Sequence, residues 1–149
     1  IGRRQELLGQ VNGALVYSDF GHHPTEIKAT VEAIKELHPV KKLWVVFQPH
    51  QHSRTRFLLG DFARSFGAAD HVIVPDIYFV RDSDTEREAI CSRDLVNRIG
   101  GSGGDALYLP SFDAIVGYIS NQWRSGDVIV TMGAGDVWKI ADELVRRLP

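Results

Sequence analysis

Val45-Val46-Phe47-Gln48-Pro49-His50-Gln51-His52-Ser53-Arg54-Thr55-Arg56 carries the chain from one kind of structure into another. It opens as a continuous apolar, β-branched run, the pattern of a strand buried on both faces. Gln48-Pro49 closes that run. His50, His52, Arg54 and Arg56 then follow in a turn and in a helical pattern that begins near Ser53. In an open parallel α/β sheet, ligands bind beyond the carboxyl ends of the strands. This polar cluster therefore stands where such a fold places a site. Asp19-Phe20-Gly21-His22-His23-Pro24 ends another strand-like run and reads as the other half of the same site.

Working outward, Glu6 to Val11 and Ala14 to Ser18 read as two strands joined at Asn12-Gly13, a strong hairpin signal. A helix is predicted from Thr25 to about His38, with Ile27, Val31, Ile34 and Leu37 on one face and Pro39 ending it. Lys42 to Phe47 is the buried strand. After it, Leu58, Phe62 and Phe66 recur every fourth residue, which predicts one helix capped by Gly67. Val72-Ile73-Val74 is the next parallel strand, and the charged, aperiodic stretch from Tyr78 to Glu88 reads as a loop. A helix from Ser92 to Ile99, a turn at Gly100-Gly101-Ser102-Gly103-Gly104, a weak strand at Ala106 to Leu109 and a helix from Phe112 to Trp123 follow. Asp127 to Met132 is the last strand, and Val137 to Leu148 the closing helix. The alternation predicts an α/β, Rossmann-like domain. Its mostly parallel sheet has about six strands, one of them an antiparallel edge strand, with helices on both faces.

The 149 residues amount to one domain. A formal net charge of -2 argues against a dedicated nucleic-acid binder. No apolar run reaches the length of a membrane span. The single cysteine, Cys91, excludes an internal disulfide, reads as inert, and fits a cytoplasmic protein. Residue 1 is Ile, not an initiator Met, so a piece of a longer protein is expected.

The chemistry of the clusters is open to several readings. Pro24 suits the first turn of a helix, whose free amides could hold an anion, and Gly21 would let a ligand approach. The plainer reading is a turn in which Asp19 and His22 satisfy loop backbone. Guanidinium groups at Arg54 and Arg56 favour a carboxylate or phosphate guest, the alternative being solvated charges on a helix start. His22, His23, His50 and His52 could gather around zinc, but the adjacent arginines would repel a cation. Thr131-Met132-Gly133-Ala134-Gly135-Asp136 has two of the three dinucleotide-fingerprint glycines and follows the last strand, so a tight turn fits it better. Trp44 and Trp138 read as packing residues, and Tyr78 as a residue that could face the site. No P-loop pattern occurs anywhere in the sequence.

Together, Asp19-Phe20-Gly21-His22-His23-Pro24-Thr25-Glu26, Phe47-Gln48-Pro49-His50 with Ser53-Arg54-Thr55-Arg56, and Gly133-Ala134-Gly135-Asp136 resemble the C-terminal domain of the Mur ligases. The resemblance covers the whole chain and is closest to the branch that adds L-alanine to UDP-N-acetylmuramate. Arg3-Arg4-Gln5-Glu6 resembles the segment where the central domain of that family meets its last. The resemblance implies ATP-dependent amide ligation through an acyl phosphate, in peptidoglycan precursor synthesis. ATP and Mg2+ would be held mainly by a central domain, the sugar nucleotide by an N-terminal one, and this domain alone would be inactive.

Carried over by position, Asp19 would contact the ATP ribose, and His22 would lie beside the nucleotide and the incoming amine. His50, Arg54, Phe20 and Gln51 would line the amino-acid pocket, with Arg54 on the carboxylate. Phe20 stands where the family often has Tyr, and Gln51 where Arg is usual. The resemblance assigns no metal ligand here and no membrane or nucleic-acid partner. The alternatives are a peptide-recycling Mur ligase domain, a stand-alone small-ligand-binding domain, and a zinc hydrolase.

Overall fold

In the computed structural model, the described residues are 6–11, 13–78 and 83–147. Asn12 of the expected hairpin turn and Arg3 to Gln5 of the expected interdomain segment lie outside them. The strands are β1 Glu6–Val11, β2 Ala14–Asp19, β3 Leu43–Phe47, β4 His71–Val74, β5 Ala106–Tyr108 and β6 Val128–Met132. The helices are α1 Pro24–Leu37, α2 His52–Phe57, α3 Leu59–Ala63, α4 Asp84–Ala89, α5 Ser92–Gly101, α6 Phe112–Gln122 and α7 Trp138–Arg147. One sheet runs in the order β1-β2-β6-β3-β4-β5. β1 is antiparallel to β2, and the other pairings are parallel, as expected for crossover connections.

Side chains alternate across the central strands and so feed two cores. Leu43, Val45 and Phe47 join Val128, Val130 and Met132 beneath α1, α3 and α5. Trp44, Val46, Ile73 and Ile129 face α6 and α7 instead. The Trp44 indole N–H, buried between strand and helix, donates to Asp127 at 3.0 Å. Helices thus cover both faces. The inward-facing row of α1, Ile27, Val31 and Ile34, is wholly buried, whereas Leu37 at its end is 66 % exposed.

Three stretches differ from the sequence-based expectation. The helix predicted after the site is broken at Leu58 into α2 and α3, and it tightens into a 3-10 turn at Arg64–Phe66. The four-residue row still packs, because Phe62 and Phe66 both reach the Phe47 ring, at 5.3 and 5.4 Å between centroids. Gly67 keeps right-handed angles (φ -58°), so it is not a left-handed cap. The expected loop from Tyr78 to Glu88 contains α4; residues 79–82 lie outside the described set. Asp84, Thr85, Arg87, Glu88 and Ala89 of α4 are all exposed, so no apolar stripe marked it as helical. Finally, α5 runs through Gly100 and Gly101, and the chain turns at Gly103.

This topology positions the site. β2, β6 and β3 are neighbours, with Asp19 and Phe47 both paired to Met132. The loops after these three strands therefore open side by side at one rim. Because β1 is antiparallel, its first residue, Glu6, pairs with Ser18 at that same rim.

Candidate functional site

The first loop is organised from within. The carboxylate of Asp19, only 2 % exposed, accepts the Gly21 N–H at 2.6 Å and the Thr30 hydroxyl at 3.3 Å. The space left by the missing side chain of Gly21 is taken by that carboxylate, which lies 2.9 Å from where a Cβ would stand. The N-terminus of α1 is also satisfied locally. His23 Nδ1 accepts the Thr25 N–H, while Glu26 accepts the His22 and His23 N–H groups. Pro24 occupies the first helical position as its chemistry favours. The amides that could have held an anion are therefore engaged by the cap. His22, half-buried, donates from Nδ1 to the Phe20 carbonyl at 3.2 Å, and Phe20 itself is half-buried.

The second loop leaves β3 with Gln48 buried, its amide N–H donating to the Asp76 carbonyl at 3.3 Å. His50 and Tyr78 then form an isolated parallel bridge. Tyr78 N–H donates to Pro49 and Gln51 N–H to Tyr78, at 2.8 and 2.9 Å. Gln51 is the one described non-glycine residue with positive φ, at φ 74° and ψ 128°. Such a conformation costs about 1–3 kcal/mol and persists only where surrounding bonds hold it. Here the Gln51 carbonyl is held by both the N–H and the hydroxyl of Thr55. This kink projects His50 to the rim while burying His52, which is 8 % exposed.

His50 meets the first loop. Its ring lies 6.2 Å from that of His22 and stacks on Tyr78 at 5.3 Å with an interplanar angle of 12°. Its Nδ1 is buried with no hydrogen-bond partner among the described residues. Burial first, then the nearby charges of His22 and Arg54, lower the His50 pKa from the ordinary histidine value. Arg54 is half-buried, and no carboxylate lies within ion-pair distance of it among the described residues. A guanidinium so placed suits a carboxylate guest.

The third loop, after β6, closes the floor. Gly133 (φ 150°) would bring a Cβ within 2.9 Å of the Gln48 carbonyl oxygen, and Gly135 would bring one within 2.8 Å of the Tyr78 ring. Both positions therefore need glycine. The two glycines bring backbone against the neighbouring segments that carry Gln48 and Tyr78.

The structure thus brings His22 and His50 together from adjacent loops, with Phe20 and Gln51 close to them in sequence and Arg54 following on α2, and it turns His23 and Asp19 away into the cap and the turn. Among the described residues, no group of three or more His, Cys, Asp or Glu side chains is arranged to hold a metal ion. Tyr78 is the main residue whose role the sequence left undefined. Its partnership with His50 spans adjacent strands, and the only signal was that both follow strands of the parallel set.

A mostly parallel α/β domain whose β2, β3 and β6 loops open at one rim is of Rossmann-like type. Residues 3–135 match the family Mur ligase, glutamate ligase domain, and the chain belongs to that family. It is 50 % identical over 145 residues to UDP-N-acetylmuramate--L-alanine ligase of Alkaliphilus metalliredigens, covering 97 % of this chain and 31 % of that protein. The corresponding ligase of Caldanaerobacter subterraneus is 45 % identical over 143 residues, covering 96 % of this chain and 30 % of that protein. Among solved structures, a murein peptide ligase of Psychrobacter arcticus superposes with a TM-score of 0.80 at 28 % identity, over 97 % of this chain and 29 % of that one. The UDP-N-acetylmuramate-alanine ligase of Thermotoga maritima gives 0.76 at 23 % identity, over 99 % and 30 %, which is likeness of fold. The chain spans about a third of the length of these relatives.

Proposed function

We propose that this chain is the amino-acid-binding part of an ATP-dependent ligase that joins L-alanine to UDP-N-acetylmuramate through an acyl phosphate, in the cytoplasm. The observation that carries the reading is Arg54, a guanidinium without a carboxylate partner among the described residues, set beside His50 on a rim that His22 shares. A guanidinium that fixes the α-carboxylate leaves the amine as the group presented to the acyl phosphate. Phe20 and Gln51 form the walls of this pocket. Identity of 50 % to a protein named for the L-alanine reaction supports the choice of acceptor.

Asp19 is assigned to the nucleotide side. Its contribution runs through the turn it holds, since its carboxylate is engaged by Gly21 and Thr30. Mg2+ does not fit this chain's residues. The rim presents imidazoles and a guanidinium, and no group of acidic or histidine ligands gathers among the described residues. The ion, the ATP phosphates and the sugar nucleotide belong to the rest of the ligase.

The test is acceptor choice in the full-length ligase carrying this chain. With ATP and UDP-N-acetylmuramate, L-alanine should drive phosphate release and amide formation, and an intact peptide should not. Turnover with the peptide alone would move the assignment to the peptide-adding ligases, whose Psychrobacter member superposes well.

A further inference from the structure

We infer that His50 is the proton acceptor for the attacking amine, and that Tyr78 is the positioning residue that holds its imidazole in place. The inference rests on the ligase reading above and adds a catalytic step to a pocket otherwise described by binding. Three geometric facts carry it. The His50 ring is clamped face to face on Tyr78, 5.3 Å away and 12° from parallel. The backbones of the two residues are bridged, so the stack cannot slide along the strand direction. One ring nitrogen, Nδ1, is sealed from solvent without a partner among the described residues, so the remaining nitrogen is the one that can serve a ligand.

An amino acid whose carboxylate rests on Arg54 carries its nitrogen only two bonds away, next to this ring. His22, whose Nδ1 donates to the Phe20 carbonyl, also presents Nε2 as an acceptor; what singles out His50 is its clamp against Tyr78. The free amine attacks the acyl-phosphate carbonyl carbon, a C–N bond forms, and the carbonyl electron pair moves to oxygen. The nitrogen, now cationic and acidic, gives one proton to the neutral imidazole of His50. Collapse of the adduct breaks the carbon–oxygen bond to phosphate, which leaves with that electron pair, and the imidazolium returns its proton to solvent.

A neutral imidazole is required at working pH. The groups that bear on it are His22 from the loop after β2, Arg54 from α2 and the Tyr78 phenol from the segment after β4. Burial, His22 and Arg54 act in the same direction, favouring the neutral form.

The experiment is the pH dependence of kcat in the full-length ligase and its variants. The wild-type profile should show an acidic limb below the ordinary histidine value of about 6.5. His50→Gln should lower kcat by about 100-fold or more, the usual scale of general base catalysis. In that variant the acidic limb should vanish while the amino-acid KM changes little. Tyr78→Phe keeps the stack and should keep the profile, whereas Tyr78→Ala should move the limb upward as the ring is re-exposed. An acidic limb that survives His50→Gln, with the loss confined to KM, overturns the inference and leaves His50 a binding residue. Should His50→Gln fail to fold, an unmoved limb in Tyr78→Ala overturns it independently. Absence of any ligation by the wild-type enzyme would instead refute the functional reading beneath it.

Discussion

His50 and Tyr78 lie 28 residues apart in sequence, yet their backbones are bridged and their rings stack at 5.3 Å. The contact ties the loop after β3 to the segment after β4. It also explains why the loop after β6 must be thin. A Cβ on Gly135 would stand 2.8 Å from Tyr78 Cδ1 and 3.2 Å from the Gln48 side-chain oxygen.

Gly135→Ala should therefore disturb the site rather than the sheet. Neither neighbour is a loose chain end, so the Tyr78 ring must leave its stack. Overpacking of this kind costs about 1–3 kcal/mol. Urea unfolding should show a loss in that range, and kcat should fall as His50 loses its support, with the amino-acid KM little changed.

Asp19 should prove to be a structural anchor of the first loop. Removing its carboxylate leaves the buried Gly21 N–H and the Thr30 hydroxyl without their acceptor. Each stranded group costs about 1–3 kcal/mol. Asp19→Ala should be strongly destabilising, and Asp19→Ala combined with Thr30→Val less so than the sum of the two changes. Equilibrium denaturation of the four species gives the answer.

Much of this was legible in the sequence, for identifiable reasons. Short β-branched runs such as Leu43–Phe47 and Val128–Met132, bounded by polar residues, read as buried strands, and both are wholly buried. Ile27, Val31 and Ile34 gave the inward face of α1 directly. The site halves were visible because polar residues crowd where those runs stop. The break at Leu58 was not legible, because the row of Leu58, Phe62 and Phe66 keeps its contacts whether or not the helix is continuous. Helix α4 was hidden because its described side chains are exposed and leave no period to read. The roles of Asp19 and Tyr78 depend on contacts with Thr30 and His50, which only the fold reveals.

At the opposite end of the sheet, Asp70 links stability to pH. Burial pushes its pKa up, but the Leu43 N–H and Lys35 outweigh that and hold it below the ordinary value. The bonds are 2.8 Å to Leu43 N and 2.9 Å to Lys35 Nζ. A carboxyl with a lowered folded pKa stabilises fully above its unfolded value, about 3.9, and loses this as pH falls through the folded value. Asp70→Asn should thus be less stable than wild type at pH 7, and the gap should narrow progressively below about pH 4. Denaturant midpoints across that range check the sign.

The most direct measurement is the steady-state kinetics of Arg54→Ala in the full-length ligase, with L-alanine and ATP varied separately. Loss of a charge-assisted bond costs about 1.5–3 kcal/mol, so the KM for L-alanine should rise about tenfold or more while that for ATP stays close to wild type. An unchanged KM for L-alanine would contradict the account, because the carboxylate would then be held elsewhere.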